Sequence, residues 1–524
     1  MKRTIALILG IFLVLTAIPA MAEDARPIIT IGKEMDTSGL SLLEGQTPDT
    51  DNYYLNYAQL YADCEVQYAW FLSDDSQKIS LSVASGNMPD AMIVDQITYN
   101  MLLEADLLMD LTQAYENVAP GTILETVYDT FTASFESAKV GDKLMAIPNT
   151  MQQNVHAITW IRQDWLNNLG LDVPSTLEEL MEVARAFVEN DPDGNGEADT
   201  IGIPVYDQVF GTYNWNGDLS YIASQFGAYP RQWYTDENDN VVYGSVTEET
   251  RAALEYLAGL YEEGILDQEF AVRDFVDQVV SGKCGIMTGN WSAAGGPIQQ
   301  SHAYDKADWI PVLCPVDENG NYLTMYRQPT TEYLVVSKKC ENPEAILKLV
   351  VGEYDFHWYV DLDEEWTEKR KKYEEIGASW YLMPLSIQLE KSLVVKERYD
   401  AFDQYITTGS REGISAAVEG FINAYDAYLA DSNSLTGWSW YKGMYLGGAV
   451  QLSEKNLYLT PCFFGTTETM KNSWTTLKTM EDEIFVKVIM GEADIAEFDT
   501  FVERWYALGG TEITQEVQNY VDAH

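Results

Sequence analysis

Between residues 28 and 352 the chain alternates two patterns, and that alternation most constrains how it can fold. IITIGK (28–33) and VQYAWFL (66–72) read as strands. SQKISLSVAS then reads as an amphipathic helix, broken at Gly86, Pro89 and Asp90 before the strand-like run Ala91 to Val94. Strand, helix, strand is the rhythm of a doubly wound α/β unit, because parallel strands need a crossover of about a dozen residues or more. The rhythm returns in KLMAIPNT with VHAITWIRQDWLNNLG, in TEETRAALEYLAGLYEEGILDQEF, in SGKCGIMTGNW and in TTEYLVVSKKCENPEAILKLV, where Asn342 is expected to cap a helix beginning with Pro343. A chain of 524 residues with 46% hydrophobic residues exceeds what one core usually holds, so two or more lobes are expected.

The first residues carry a different signal. Lys2 and Arg3 precede an apolar run from Ile5 to Leu15 and the small-residue site Ala20-Met21-Ala22, the layout of a secretory signal peptide over residues 1–22. An apolar run of that length is too short for a membrane helix, which needs about 20 residues. The mature chain is therefore expected outside the cytoplasm.

Composition removes several functions. Acidic residues outnumber basic ones 82 to 32, for a net charge of -50, so nucleic acid is an unexpected partner. Five cysteines include no CxxC pair, and four histidines lie far apart without an HExxH, which argues against a disulfide scaffold, a zinc enzyme or a nucleophilic triad.

One loop stands out. In NDPDGNGEADT the oxygen-bearing residues Asp191, Asp193, Asn195 and Asp199, the carbonyl of Glu197 and the turn residue Gly196 fall at the spacing of an EF-hand calcium loop. Gly202 stands where the bidentate acid would close the shell. Asp-Gly and Asn-Gly also make ordinary turns, but four oxygen side chains in alternation favour calcium. Upstream, Thr176 and Glu179 form a capping box before a helix whose face carries Leu177, Leu180, Met181, Ala184, Phe187 and Val188. Downstream lies the strand-like TIGIPV. An ion there would fasten a helix to a strand, a structural role rather than a switch.

The motifs ASGNMPD (84–90), GDKLMAIP (141–148), WIRQDWLNNLGLDVPSTLEEL (160–180), NDPDGNGEADTIGIP (190–204), YGSVTEETRAALEYLAGLYEEGILDQEF (243–270), SGKCGIMTGNW (281–291) and VVSKKCENPEAILKLV (335–350), in that order, resemble the family 1 extracellular solute-binding proteins, particularly the larger oligosaccharide-binding branch of ABC importers. The resemblance implies an α/β, type II periplasmic-binding-protein-like fold of two lobes that close on a ligand. It further implies a carbohydrate ligand, an oligosaccharide in that branch, with a membrane ABC permease as partner, structural Ca2+, a monomer and no catalysis. Many relatives carry a lipid-anchored cysteine after the signal, whereas the first cysteine here is Cys64, and many have Glu where Thr200 follows Asp199. Three interlobe crossings are expected near Pro148–Val155, Asn290–Gly296 and Thr331–Ser337. Lobe one then comprises 28–150 plus 291–332, and lobe two 155–290 plus 335–524 with a helical C-terminal region.

A sugar presents apolar C–H faces and hydroxyls, so its site needs flat rings and paired polar groups; an unpaired buried hydroxyl costs about 1–3 kcal/mol. Candidate rings near expected crossings and turns are Trp160, Tyr213, Trp215, Trp233, Trp291, Trp438 and Trp440. Each would serve equally as a core residue, although Gly, Asn and Asp neighbours place Trp215 and Trp291 in turns. Polar candidates are Asp95, Arg327 and Glu332, and the few basic residues favour a neutral glycan. The rival reading is a secreted glycoside hydrolase, which needs only two carboxylates about 5–10 Å apart.

Overall fold

The computed structural model describes residues 26–38, 40–74, 76–152, 154–211 and 216–523; the expected signal peptide, residues 1–22, lies outside them. Lobe one is built on a five-stranded sheet in the order Glu65–Leu72, Ile28–Glu34, Ala91–Asp95, Glu332–Val336, Ile147–Pro148. The first three strands run parallel, joined through helices Tyr53–Ala62 and Ser76–Ser85, and Glu332–Val336 is antiparallel to both its neighbours. The register slips between Ile31 and Gly32. There the Trp70 ring fills the space that any side chain at Gly32 would need. Ile29, Ile31, Met92, Val94, Leu334 and Val335 bury one core, covered by helix Pro343–Trp358. That helix approaches Tyr53–Ala62 so closely that a Cβ at Gly352 would sit 2.8 Å from Cβ of Tyr61.

Lobe two centres on three antiparallel strands with Ile158–Arg162 between Ile286–Gly289 and Trp309–Val312. Every residue of Ile158–Arg162 is buried. The capping box forms, with the Thr176 side chain accepting from the Glu179 amide, and helix Leu177–Glu189 buries Leu180, Met181, Val183, Ala184 and Phe187. The C-terminal helices Met470–Ile489, Ala496–Trp505 and Thr511–Ala523 complete this core beside helix Glu248–Glu262. Helices Val394–Thr408 and Ala416–Ala430, with Tyr441 and Tyr445 packed against them, form a further group around Phe402, Val418 and Ile422.

The lobe boundaries differ from the expected ones. Residues 291–312 do not join lobe one: strand Trp309–Val312 pairs with Ile158–Arg162, and helix Pro297–Asp305 packs Ile298 into the core of Trp160 and Trp309. Conversely, residues 332–389 pack in lobe one, with Leu385, Ile387 and Leu389 in its core. The segment Asn290–Gly296 is a 3-10 turn inside lobe two, and the third crossing lies at residues 388–391 instead. Backbone patterning marks a strand without saying which sheet receives it. Asn342 precedes its helix as expected, but its side chain makes no capping bond.

The three crossings are tied to one another. The amide of Thr150 donates to the Gln388 carbonyl at 2.9 Å and that of Met151 to the Pro329 carbonyl at 2.9 Å. Oδ1 of Asn149 accepts from the amides of Thr331 (2.8 Å) and Glu332 (3.1 Å). Crossings hydrogen-bonded to one another in this way let two packed bodies rotate without unpacking either.

Candidate functional site

The joint floors a cleft. On the lobe-one side, strands Ile28–Glu34 and Ala91–Asp95 end at one sheet edge, and Glu332 lies opposite Asp95 in register. The crevice beyond the carboxyl ends of parallel strands is where such sheets receive ligands. Here it is a cavity of about 1060 Å³ bearing Glu34, Asp36, Asp74, Asp95 and Glu332. Asp95 caps the following helix, accepting from the Thr98 amide at 2.8 Å. Its surroundings push the Glu332 carboxyl up, first by desolvation and then by the charge of Glu34.

An aromatic shelf forms part of the same wall. Trp380 and Tyr381 stack with centroids 4.4 Å apart, and Tyr381 is 53% exposed. A buried pair fixes the segment that carries them. Nζ of Lys33 donates to the carbonyls of Tyr381 and Met383, while Glu353 accepts from the amides of Leu385 and Ser386. Desolvation pushes Lys33 down and Glu353 up; the charge of Glu353 opposes the first shift, and the Leu385 amide and then the charge of Lys33 oppose the second. Sequence reasoning missed this shelf, although the ring pair in GASWYLMP, between Gly377 and Pro384, is a signal that could have found it.

Through Met151, Thr331 and Gln388 the cavity continues into a second of about 620 Å³ on the lobe-two side. Trp233, Trp291 and Arg327 meet there, with Arg398, Glu390 and Trp474, three residues that sequence reasoning missed and that no local pattern marks. Trp291 is half-buried, 6.3 Å from Trp440, which leans on Phe421 beside an adjoining recess. Trp233 offers only an edge, being packed on Tyr243 and Trp474.

Two expected rings belong to the core. Trp160 is wholly buried in the central strand and donates from Nε1 to the Gly289 carbonyl at 3.1 Å. Trp438 is buried against His302, stacked at 4.0 Å. Neither can present a face to a sugar. Tyr213 and Trp215 lie outside the described residues.

The acidic loop folds about Asn195. Its amide nitrogen donates to Oδ1 of Asp191 and Asp193, and its Nδ2 donates to Asp193 (2.9 Å) and Asp199 (3.1 Å). Desolvation, then a hydrogen bond shared with Asp191, raises the Asp193 carboxyl; Nζ of Lys283 lies 2.8 Å from Asp199. Among the described residues no group of three or more His, Cys, Asp or Glu side chains is placed to hold a metal ion, and the acids of this loop are satisfied by Asn195 and Lys283 instead.

Residues 44–351, more than half of the chain, match the model of the bacterial extracellular solute-binding proteins. The chain belongs to that family. Lipoprotein LipO of Bacillus subtilis (strain 168) is 30% identical over 276 residues, covering 51% of this chain and 52% of that one. This protein thus spans about half the length of LipO. The polygalacturonan/rhamnogalacturonan-binding protein YtcQ of the same organism is 21% identical over 512 residues, 92% of this chain and 90% of YtcQ. The structure of FusA, an ABC-transporter substrate-binding protein of Streptococcus pneumoniae, in complex with kestose superposes with a TM-score of 0.61 at 18% identity, covering 95% of this chain and 99% of that one. That likeness establishes the periplasmic-binding-protein-like fold.

Proposed function

We propose that this family member is the extracytoplasmic receptor of an ABC importer, a monomer that closes on an oligosaccharide and presents it to a membrane permease. The observation that carries the reading is the cleft itself, continuous across a hydrogen-bonded joint and furnished with rings on both walls, Trp380 and Tyr381 on the lobe-one side and Trp291 on the lobe-two side. Stacked rings bury the C–H faces of sugars, and closure at the joint desolvates the polar contacts that select among them. YtcQ and FusA are named for sugar ligands, which supports the class of ligand.

Calcium belongs to the same reading. Asp191, Asp193, Asn195, Asp199 and the carbonyl of Glu197 would hold the ion, its charge relieving the crowding of the acids. Asn168 ties the loop to the preceding helix by donating to the Pro192 carbonyl at 2.9 Å. Thr200 donates to the Phe187 carbonyl at 2.7 Å. None of these residues lines the cleft cavities, which supports a structural role.

The test is thermal unfolding with calcium across neutral and acidic oligosaccharides, the recovered sugar being weighed by mass spectrometry. A ligand at a hundred times its Kd adds about 2.7 kcal/mol of stability. Stabilisation with the sugar intact is expected. Shortened sugar would transfer the protein to the glycoside hydrolases, and stabilisation by no sugar at all would refute the receptor reading.

A further inference from the structure

The cleft is electrically divided. Among the described residues its lobe-one cavity is lined by five carboxylates and a single lysine, Lys33, whose Nζ is already committed to two carbonyls. The lobe-two cavity carries three arginines, Arg231, Arg327 and Arg398, against one acid, Glu390. In a chain where acids outnumber bases 82 to 32, that reversal needs a cause.

Arg231 has one: it is paired with Glu481 at 3.1 Å and with Asp482. The other two differ. Neither Arg327 nor Arg398 forms a salt bridge among the described residues, although both are half-buried. Nη2 of Arg327 donates to Met151 Sδ at 2.8 Å, a weak acceptor. The Arg398 guanidinium lies 5.2 Å from the Trp358 ring and 5.5 Å from that of Phe421, held by faces that accept no strong hydrogen bond. Glu390 acts on both only through its field, and its oxygens accept from the Gln152 amide and the Gln388 side chain. Burial lowers both guanidinium pKa values, opposed at a distance by Glu390 and, for Arg398, also by Glu397, so each is a partly buried charge with no carboxylate in contact. Planar five-donor forks in that condition suit a carboxylate, which two N–H groups can grip side by side.

We propose that the cargo is an oligosaccharide bearing a uronate, with its carboxylate bound by Arg327 and Arg398 at the lobe-two end and uncharged sugar rings reaching towards the acidic lobe-one end. This rests on the receptor reading and sharpens it. It also replaces the neutral glycan expected from composition, because the local balance of charge at the cleft opposes that of the whole chain. The polarity fixes the direction of the ligand, since a carboxylate at the other end would face five acids.

The experiment is calorimetric titration of the full chain with oligosaccharides carrying one uronate, on xylose, rhamnose and galactose backbones. Each is paired with the same sugar after reduction of its carboxyl to the alcohol. At least one acid is expected to bind about tenfold or more tighter than its reduced partner, with affinity falling as salt rises from about 50 to about 500 mM. Arg327→Gln and Arg398→Gln should each remove most of that preference, and Arg327→Lys should restore it only in part. Reduced sugars binding as well as the acids, or acids binding undiminished in both glutamine variants, would overturn the proposal and leave the receptor reading intact. Failure of every sugar, acidic or neutral, would overturn both. Should a variant fail to fold, the acid-against-alcohol comparison on the unaltered protein still decides.

Discussion

Replacement of Asn149 by Ala probes the joint on which lobe closure depends. Asn149 is 1% exposed, and its Oδ1 receives two backbone amides from the second crossing while its Nδ2 donates to Thr331 Oγ1 at 3.2 Å. Ala removes the acceptor and leaves the amides of Thr331 and Glu332 without their partner. A buried donor left unsatisfied costs about 1–3 kcal/mol. Thr331 and Glu332 are exposed as residues at the cleft, although the Glu332 carboxyl is itself partly desolvated, so water can reach the vacated position and the lower end applies to each. The expected loss is therefore about 2 kcal/mol in total. Urea unfolding followed by tryptophan fluorescence measures it as a fall in midpoint at unchanged slope, since the buried area hardly alters. Asn149→Asp keeps the acceptor for both amides, which favour its ionised form, and should retain more of the stability than Asn149→Ala near neutral pH. A loss under about 0.5 kcal/mol in Asn149→Ala, within the range of an ordinary surface change, would refute the assignment of these bonds as the clamp between crossings.

Trp160→Ala should cost about 3–5 kcal/mol of stability as a core deletion, whereas Trp291→Ala should leave the melting temperature nearly unchanged and weaken sugar binding about tenfold or more; equal effects of the two on binding would contradict their placement. Burial holds His156 down to about 4 and His357 down to about 3, so the unfolded chain takes up their protons first as pH falls below the ordinary value near 6.5. Each histidine then costs about 1.4 kcal/mol per pH unit until its folded value is reached. His156→Gln should accordingly show a shallower loss of stability than the unaltered protein between about pH 6.5 and 5, and parallel curves would count against this. For the calcium loop, chelation should lower the melting temperature without abolishing sugar binding, and Asp191→Ala should remove the response to chelator; identical melting with and without chelator would dismiss the ion.

What the sequence determined by itself was local. The capping box at Thr176 and Glu179, the helix before the acidic loop and the strands from Ile28, Ala91, Ile158, Ile286 and Glu332 follow from spacing and side-chain shape, which act over a few residues. The family was legible too, because the ordered motifs lie mostly within residues 44–351. Partnership at long range was not. Strand Trp309–Val312 joins lobe two and Glu332–Val336 joins lobe one only 20 residues later. Ring type does not separate Trp160 in a central strand from Trp291 at the cleft, since a Trp buries as readily in a core as against a sugar. Arg327 and Arg398 line one cavity only because the crossing at residues 388–391 brings the helix after it to the joint, Arg398 being 71 positions from Arg327 in the chain. Tertiary structure alone decides such meetings, because they depend on which hydrophobic faces bury together rather than on what any short stretch prefers.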